Sequence, residues 1–184
     1  MDVPPVRTDR LELVSLTPEV MEALLARDRT AAGEALGAAI HDDWPDEHDA
    51  GFLRLRLGQM RANAELQQWA VRALVLADER VLVGHIGFHG PPGINALQRK
   101  DAVEIGYTVF PDYRRRGLAV EAARGVIDWA TRTHGIRVFV ASVSPTNEAS
   151  LAVVRRLGFE HVGEHFDEED GLEHEYLLEL PSAA

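Results

Sequence analysis

A chain of 184 residues has room for one domain with a substantial core, and 46% hydrophobic with 27% charged residues is ordinary for a soluble globular protein. The 19 Lys and Arg against 30 Asp and Glu leave a formal net charge of −11, which works against general nucleic-acid binding and favours a cationic substrate or partner. With no cysteine there is neither a disulfide framework nor a cysteine nucleophile, as suits a reducing compartment.

Residues Met1 to Arg10 lack the apolar core of a signal peptide, and no run approaches ~18 apolar residues. A cytoplasmic protein without a membrane span is the expectation. Leu11, Leu13 and Leu16 suggest an opening strand, and Thr17-Pro18-Glu19 reads as a helix start with proline at its first position. That helix runs through Met21, Leu24 and Leu25. From His41 to Asp49 the chain is acidic around a single Trp44, and Pro45 predicts a loop before a second helix over about 48–65. Such a loop is either solvated surface or the flank of a site for a cationic ligand. Residues 69–77 and 81–89 are apolar runs separated by Asp78-Glu79-Arg80, a predicted hairpin. Gly90-Pro91-Pro92-Gly93 then opens a loop.

The most informative stretch follows. Val103, Ile105, Tyr107 and Val109 alternate with Glu104, Gly106 and Thr108, the pattern of a half-buried strand. After Phe110-Pro111-Asp112-Tyr113 come Arg114-Arg115-Arg116-Gly117, and then a helix whose stripe is Leu118, Ala119, Ala122, Ala123, Val126, Ile127 and Ala130. Three arginines and a glycine thus stand where the first N–H groups of a helix lack internal partners. Those donors, the helix dipole and the guanidinium charges make a seat for a phosphorylated ligand, and Gly117 would let it approach the backbone. A basic triplet at a turn is otherwise a solvated surface or a loose nucleic-acid patch.

The helix should stop at His134-Gly135, and Arg137 to Val143, apolar on both faces, reads as an interior strand. Thr146 or Asn147 starts a short helix carrying Leu151, Val154 and Leu157, which Gly158 ends. Residues 159–166 and 172–180 are predicted strands around the acidic turn Asp167 to Gly171. The order is β-α-α-β-β-β-α-β-α-β-β, a mixed α/β domain.

This order, with its strand, arginine turn and helix, resembles the GCN5-related N-acetyltransferase (GNAT) superfamily. The pyrophosphate motif there is Gln/Arg-x-x-Gly-x-Gly/Ala, and Arg114-Arg115-Arg116-Gly117-Leu118-Ala119 is similar to it. Asn147-Glu148-Ala149-Ser150 with Leu157-Gly158-Phe159 looks like the segment bordering the pantetheine arm. Thr8-Asp9-Arg10-Leu11-Glu12-Leu13 and Glu104-Ile105-Gly106-Tyr107 resemble the RimJ/RimL-like branch. The resemblance covers about 8–180, a single N-acetyltransferase domain, and implies a mostly antiparallel central sheet with helices on both faces.

It also implies acetyl transfer from acetyl-CoA, as co-substrate, to a primary amine by direct attack in a ternary complex. Diphosphate oxygens would be held by the Arg114 to Ala119 stretch (Arg114, Arg115, Arg116, Gly117, Leu118, Ala119), and the pantetheine arm by Asn147, which reads equally as a helix N-cap. The Val109 N–H is the implied donor to the thioester oxygen as it becomes an oxyanion. An amine of pKa near ~10 must lose a proton before attack, and Glu104 is the first candidate base, with His85 and His89 behind it. The family's usual acid is a tyrosine seven residues after the asparagine. Here that position is Val154, so Ser150 stands in as the candidate acid.

A metal is not expected. His85 and His89, like His161 and His165, would lie about 13 Å apart along extended strands at ~3.3 Å per residue. Two acidic loops, Asp42 to Glu47 and Asp167 to Asp170, would attract a cationic acceptor, either a small amine or a protein N-terminus. Neither nucleic acid nor membrane is an expected partner, and the resemblance admits a homodimer. The alternative function is a non-catalytic acyl-CoA-binding sensor.

Overall fold

The computed structural model describes residues 3–167 and 171–181. The chain packs as two compact units, Met1–Gly87 with Tyr107–Leu118, and Phe88–Gly106 with Ala119–Ala184.

The first unit holds β1 (Val6–Arg7), β2 (Leu11–Ser15), α1 (Pro18–Leu25), α2 (Arg29–Leu36), α3 (Glu47–Ala62), β3 (Arg72–Leu76) and most of β4 (Val81–Phe88). Its strands pair in the order β1-β2-β3-β4, all antiparallel. Along β2, Leu11, Leu13 and Ser15 are buried while Glu12 and Val14 are partly exposed, and Leu13 sits opposite Leu74. The helices lay Met21, Leu24, Leu53, Leu57 and Met60 onto Val71, Val75 and Leu82 in one core. Each such side chain, fully buried, contributes about 1.5–3 kcal/mol.

Three early helices stand where two were expected. The α1 helix is capped by the Thr17 hydroxyl and stops at Ala26; Arg27 then takes φ +59°, and Asp28 caps a new helix by accepting from Ala31 N–H. Gly37, at φ +67°, ends it. The two-residue β1 was also unforeseen, and α3 ends at Ala62, followed by the short 3-10 helix Ala64–Gln68. The acidic loop is not simply solvated surface. Trp44 is buried, with its ring 5.6 Å from that of Phe110, and Asp46 is the N-cap of α3.

The second unit holds the start of β5 (Ala102–Val109), most of α4 (Leu118–His134), β6 (Val138–Val143), α5 (Glu148–Leu157), β7 (Glu160–Asp167) and β8 (Gly171–Glu179). Its strand order is β5-β6-β8-β7. The β5–β6 pair is parallel and the other two pairs are antiparallel. The described strands are therefore mostly antiparallel, in a mixed α/β chain. As its two-sided apolar pattern predicts, β6 is an interior strand, with Phe139 and Val140 fully buried. Gly135 and Gly158 take positive φ where α4 and α5 end. The acidic stretch 168–170 lies outside the described residues. Among the described residues no helix is long and apolar enough to cross a membrane.

Candidate active site

In the first unit, β5 ends against a glycine. A Cβ on Gly84 would stand 2.1 Å from the Thr108 carbonyl oxygen, so only glycine lets the backbone of Thr108 and Val109 come this close. The pairing of β3 with β4 slips one residue at the same place, a β-bulge of the kind that re-aims backbone groups. Val109 itself is buried, and the next residue, Phe110, donates its N–H to Val83 C=O at 2.9 Å. The chain then makes one 3-10 turn over Pro111–Tyr113 and enters the arginine loop.

That loop is built from backbone as much as from charge. Arg115 has φ +61° and Gly117 φ +79°, with Arg116 between them at negative φ. Alternation of this kind turns successive N–H groups toward a common point, an anion-binding nest, immediately before α4 begins at Leu118. The side chains brace it. Arg114 donates from Nε to Val109 C=O at 2.8 Å, and Arg116 donates to Asp112 C=O at 2.9 Å while lying over the Tyr113 ring. Among the described residues, none of Arg114, Arg115 and Arg116 forms an ion pair with a carboxylate. Their charge is not neutralised by a neighbouring described carboxylate.

Sequence reasoning missed Arg10 as part of this loop. Its Nη1 donates to Arg116 C=O at 3.0 Å, and its Nη2 lies 3.6 Å from where a Gly117 Cβ would be. The Thr8 hydroxyl bonds both N–H and C=O of Leu11, and Ala77 N–H holds the Arg10 carbonyl, so the guanidinium starts from a fixed turn. The Thr-Asp-Arg-Leu block was the available signal, but nothing local ties it to a loop 106 residues away.

The second unit presents the candidate base. Glu104 is only 4% exposed, and Ala102, Val103 and Ile105 beside it are buried too. The expected half-exposed strand is thus, in its first half, a strand covered on both faces. One face of it is closed by the loop after β4. There Ala96 N–H donates to Glu104 Oε2 at 2.7 Å, and Asn95 bonds the Ala102 carbonyl. From β6, the Ser142 hydroxyl donates to Oε1 at 2.8 Å. His89 brings Nδ1 to 3.4 Å from the same oxygen.

Asn147 caps α5, its Oδ1 accepting from Ser150 N–H at 3.1 Å. Ser150 is half-buried at the start of that helix, and Val154, in the usual tyrosine position, is fully buried. Leu118 is buried and Ala119 partly so. His85 is a packed histidine of the first unit, stacked on Phe52 with Nε2 3.6 Å from Asp49. Burial pushes the Asp49 carboxyl up, but the neighbouring His85 imidazole outweighs it and holds it below the usual range. His165 lies between Glu173 and Glu175, whereas His161 stacks near His174 and Tyr176. The two turn to different partners, and among the described residues no group of three or more such side chains could hold a metal ion.

Residues 10–160 match the model of the acetyltransferase (GNAT) domain, most of the chain. The chain belongs to the GNAT acetyltransferases and is an N-acetyltransferase-type enzyme of that family. It is 27% identical over 157 residues to the uncharacterized N-acetyltransferase YjdG of Bacillus subtilis, covering 84% of this chain and 88% of that protein. A 65-residue stretch is 38% identical to an L-methionine sulfoximine/L-methionine sulfone acetyltransferase of Pseudomonas aeruginosa, 35% of this chain and 37% of the relative. In fold it is similar to the ribosomal-protein α-N-acetyltransferase RimL solved with coenzyme A, at TM-score 0.63 and 19% identity over 97% of this chain and 98% of RimL.

Proposed function

We propose that residues 8–180 form a single cytoplasmic catalytic domain that moves an acetyl group from acetyl-CoA to a cationic primary amine by direct attack in a ternary complex. The observation that carries this reading is the loop of alternating φ at Arg115 and Gly117, with three arginines that have no carboxylate partner among the described residues, on a chain of net charge −11. Such a loop suits a diphosphate. The Arg114 to Ala119 stretch would hold that group, with Arg10 steadying it through the Arg116 carbonyl. Asn147 would donate from its amide to the pantetheine arm while its oxygen caps α5.

At the acyl group, the Val109 N–H would stabilise the oxyanion of the tetrahedral intermediate, a role for which a dry, fixed donor is worth more than one in water. Glu104 would take the proton the amine must lose, directly or through water, and Ser150 would help protonate the leaving thiolate. A thiol of pKa near ~8.5 asks little of that acid. The acceptor is a small amine or a protein N-terminus; the Pseudomonas relative is named for amino-acid analogues and RimL for a ribosomal protein.

The test is CoA release, detected as thiol, from acetyl-CoA with a panel of primary amines, alongside acetyl-CoA binding to Gly117→Asn. Asn tolerates a positive φ, so this variant isolates the added side chain from backbone strain. Turnover with at least one amine and weakened binding in the variant are expected. Tight acetyl-CoA binding with no release from any amine would favour the sensor function, and unchanged affinity in Gly117→Asn would remove the proposed cofactor seat.

A further inference from the structure

Glu104 poses a problem that the proposed function leaves open. A base enclosed on every side must pass its proton on before it can act again. Among the described residues, the groups around it differ in what they can do. Ala96 N–H and the Ser142 hydroxyl donate to it, from the loop after β4 and from β6. Glu175, opposite Ser142 on β8, is a second buried carboxylate, itself 3.2 Å from His165 Nδ1. Of these, His89, just past β4, combines a titratable ring against the Glu104 carboxylate with a surface in water: its side chain is 47% exposed.

The ring's position is built by the strand. The His89 N–H donates to the Glu104 carbonyl at 2.9 Å, which anchors the backbone beside the carboxylate. Gly106, two residues beyond Glu104 and so on the same face of β5, leaves the space the ring fills. A Cβ on Gly106 would lie 3.1 Å from His89 Nε2. The Glu-Ile-Gly sequence therefore reads as a carboxylate followed by the gap that seats its histidine.

We propose that His89 is the proton outlet of Glu104, a relay residue acting through the base and not an alternative to it. This rests on Glu104 being the base. The amine N–H bond breaks and its proton passes to the Glu104 carboxylate; neutral His89 takes it at Nδ1 and sheds one to water from Nε2. Solvent exchange at the exposed ring restores the starting tautomer. No other reactant is needed.

Two measurements test this. Ring titration of His89, followed by NMR, needs no acceptor. Its midpoint should be lower in Glu104→Gln than in wild type, because the neighbouring negative charge is gone; identical midpoints would overturn the coupling. The second measurement is CoA release against pH with the fastest of L-methionine sulfone, spermidine and a short peptide. His89→Ala should lower kcat about tenfold with KM for acetyl-CoA unchanged, and added imidazole should restore it in proportion to concentration. Gly106→Ala should copy the loss in a folded protein. Glu104→Gln should lose about 100-fold or more and gain nothing from imidazole. Wild-type kcat in His89→Ala across the pH range would sink the relay and leave the base standing. Wild-type kcat in Glu104→Gln would sink the base itself, and with it the relay.

Discussion

Arg115 sits in the left-handed region at φ +61°, where an L side chain costs roughly 1–2 kcal/mol over glycine. The chain keeps an arginine there, which is understandable if its charge matters to a bound anion more than the strain matters to the fold. Replacing it separates the two. Arg115→Gly should raise Tm by about 2–4 °C for each kcal/mol of strain relieved, while weakening acetyl-CoA binding in low salt. A variant with unchanged Tm would mean that the loop relaxes away from this conformation once glycine is present. Gly84 marks the opposite case. Its missing Cβ is what lets Thr108 approach, so Gly84→Ala should lower Tm by several degrees, since a 2.1 Å contact with backbone forces a shift of the strand.

At the scale of elements, α5 shows how one side chain can hold two posts. Asn147 uses its oxygen to cap the helix and would use its amide to hold pantetheine. Asp caps as well as Asn but cannot donate from the side chain, whereas Ala does neither. Asn147→Asp should therefore keep the wild-type Tm yet raise KM for acetyl-CoA, and Asn147→Ala should also lose about 1 kcal/mol of stability. Equal KM in Asn147→Asp and wild type would leave the residue a cap only. Much of this level was readable beforehand. The β4 hairpin strand, α4, β6 and α5 each carry a clear period and a Gly, Asn or Pro at their ends. The split of the early helical region was not read, although Asp28 and Gly37 are ordinary start and stop signals, because the apolar spacing through Leu24 and Leu25 has no evident break. The arginine loop was readable as a motif, but not the fixed turn at Thr8 that steadies it, nor the burial of Glu104. Both depend on contacts between segments far apart in sequence.

For the molecule as a whole, acid is the natural enemy. The Arg80 hydrogen bond holds the Glu12 carboxyl low, Thr17 does the same for Glu19 and Arg99 for Asp101; Asp49 stays low through His85 despite its burial. Each is depressed in the folded state, so the unfolded chain binds more protons as the pH drops. Their stabilisation is fully present above the ordinary value of 4.5 for Glu and 3.8 for Asp, and is lost as pH falls through the lower folded values. Denaturant midpoints should be flat from neutral to about pH 5 and then decline. His85→Asn should lower stability at neutral pH and make that decline shallower, because Asp49 would lose the partner that offsets its burial and its folded value would rise toward or past the unfolded one. An unaltered profile would show that Asp49 is held low without His85.

The hydrogen bond from Arg114 Nε to the Val109 carbonyl has a further meaning. It joins the residue proposed to meet the diphosphate to the residue proposed to meet the thioester, at 2.8 Å, by a single rigid guanidinium plane. The tail of the donor, which never reacts, would then have a mechanical say in the reaction. Anchoring that tail would tension the plane and fix the Val109 backbone, whose N–H, in the neighbouring peptide, must meet the oxyanion. An acetyl thioester cut back to pantetheine should accordingly turn over more slowly even at saturation, with kcat down by about tenfold or more, and Arg114→Lys should shrink the difference between long and short donors. If shortening the donor alters KM alone, the two ends of the site work independently.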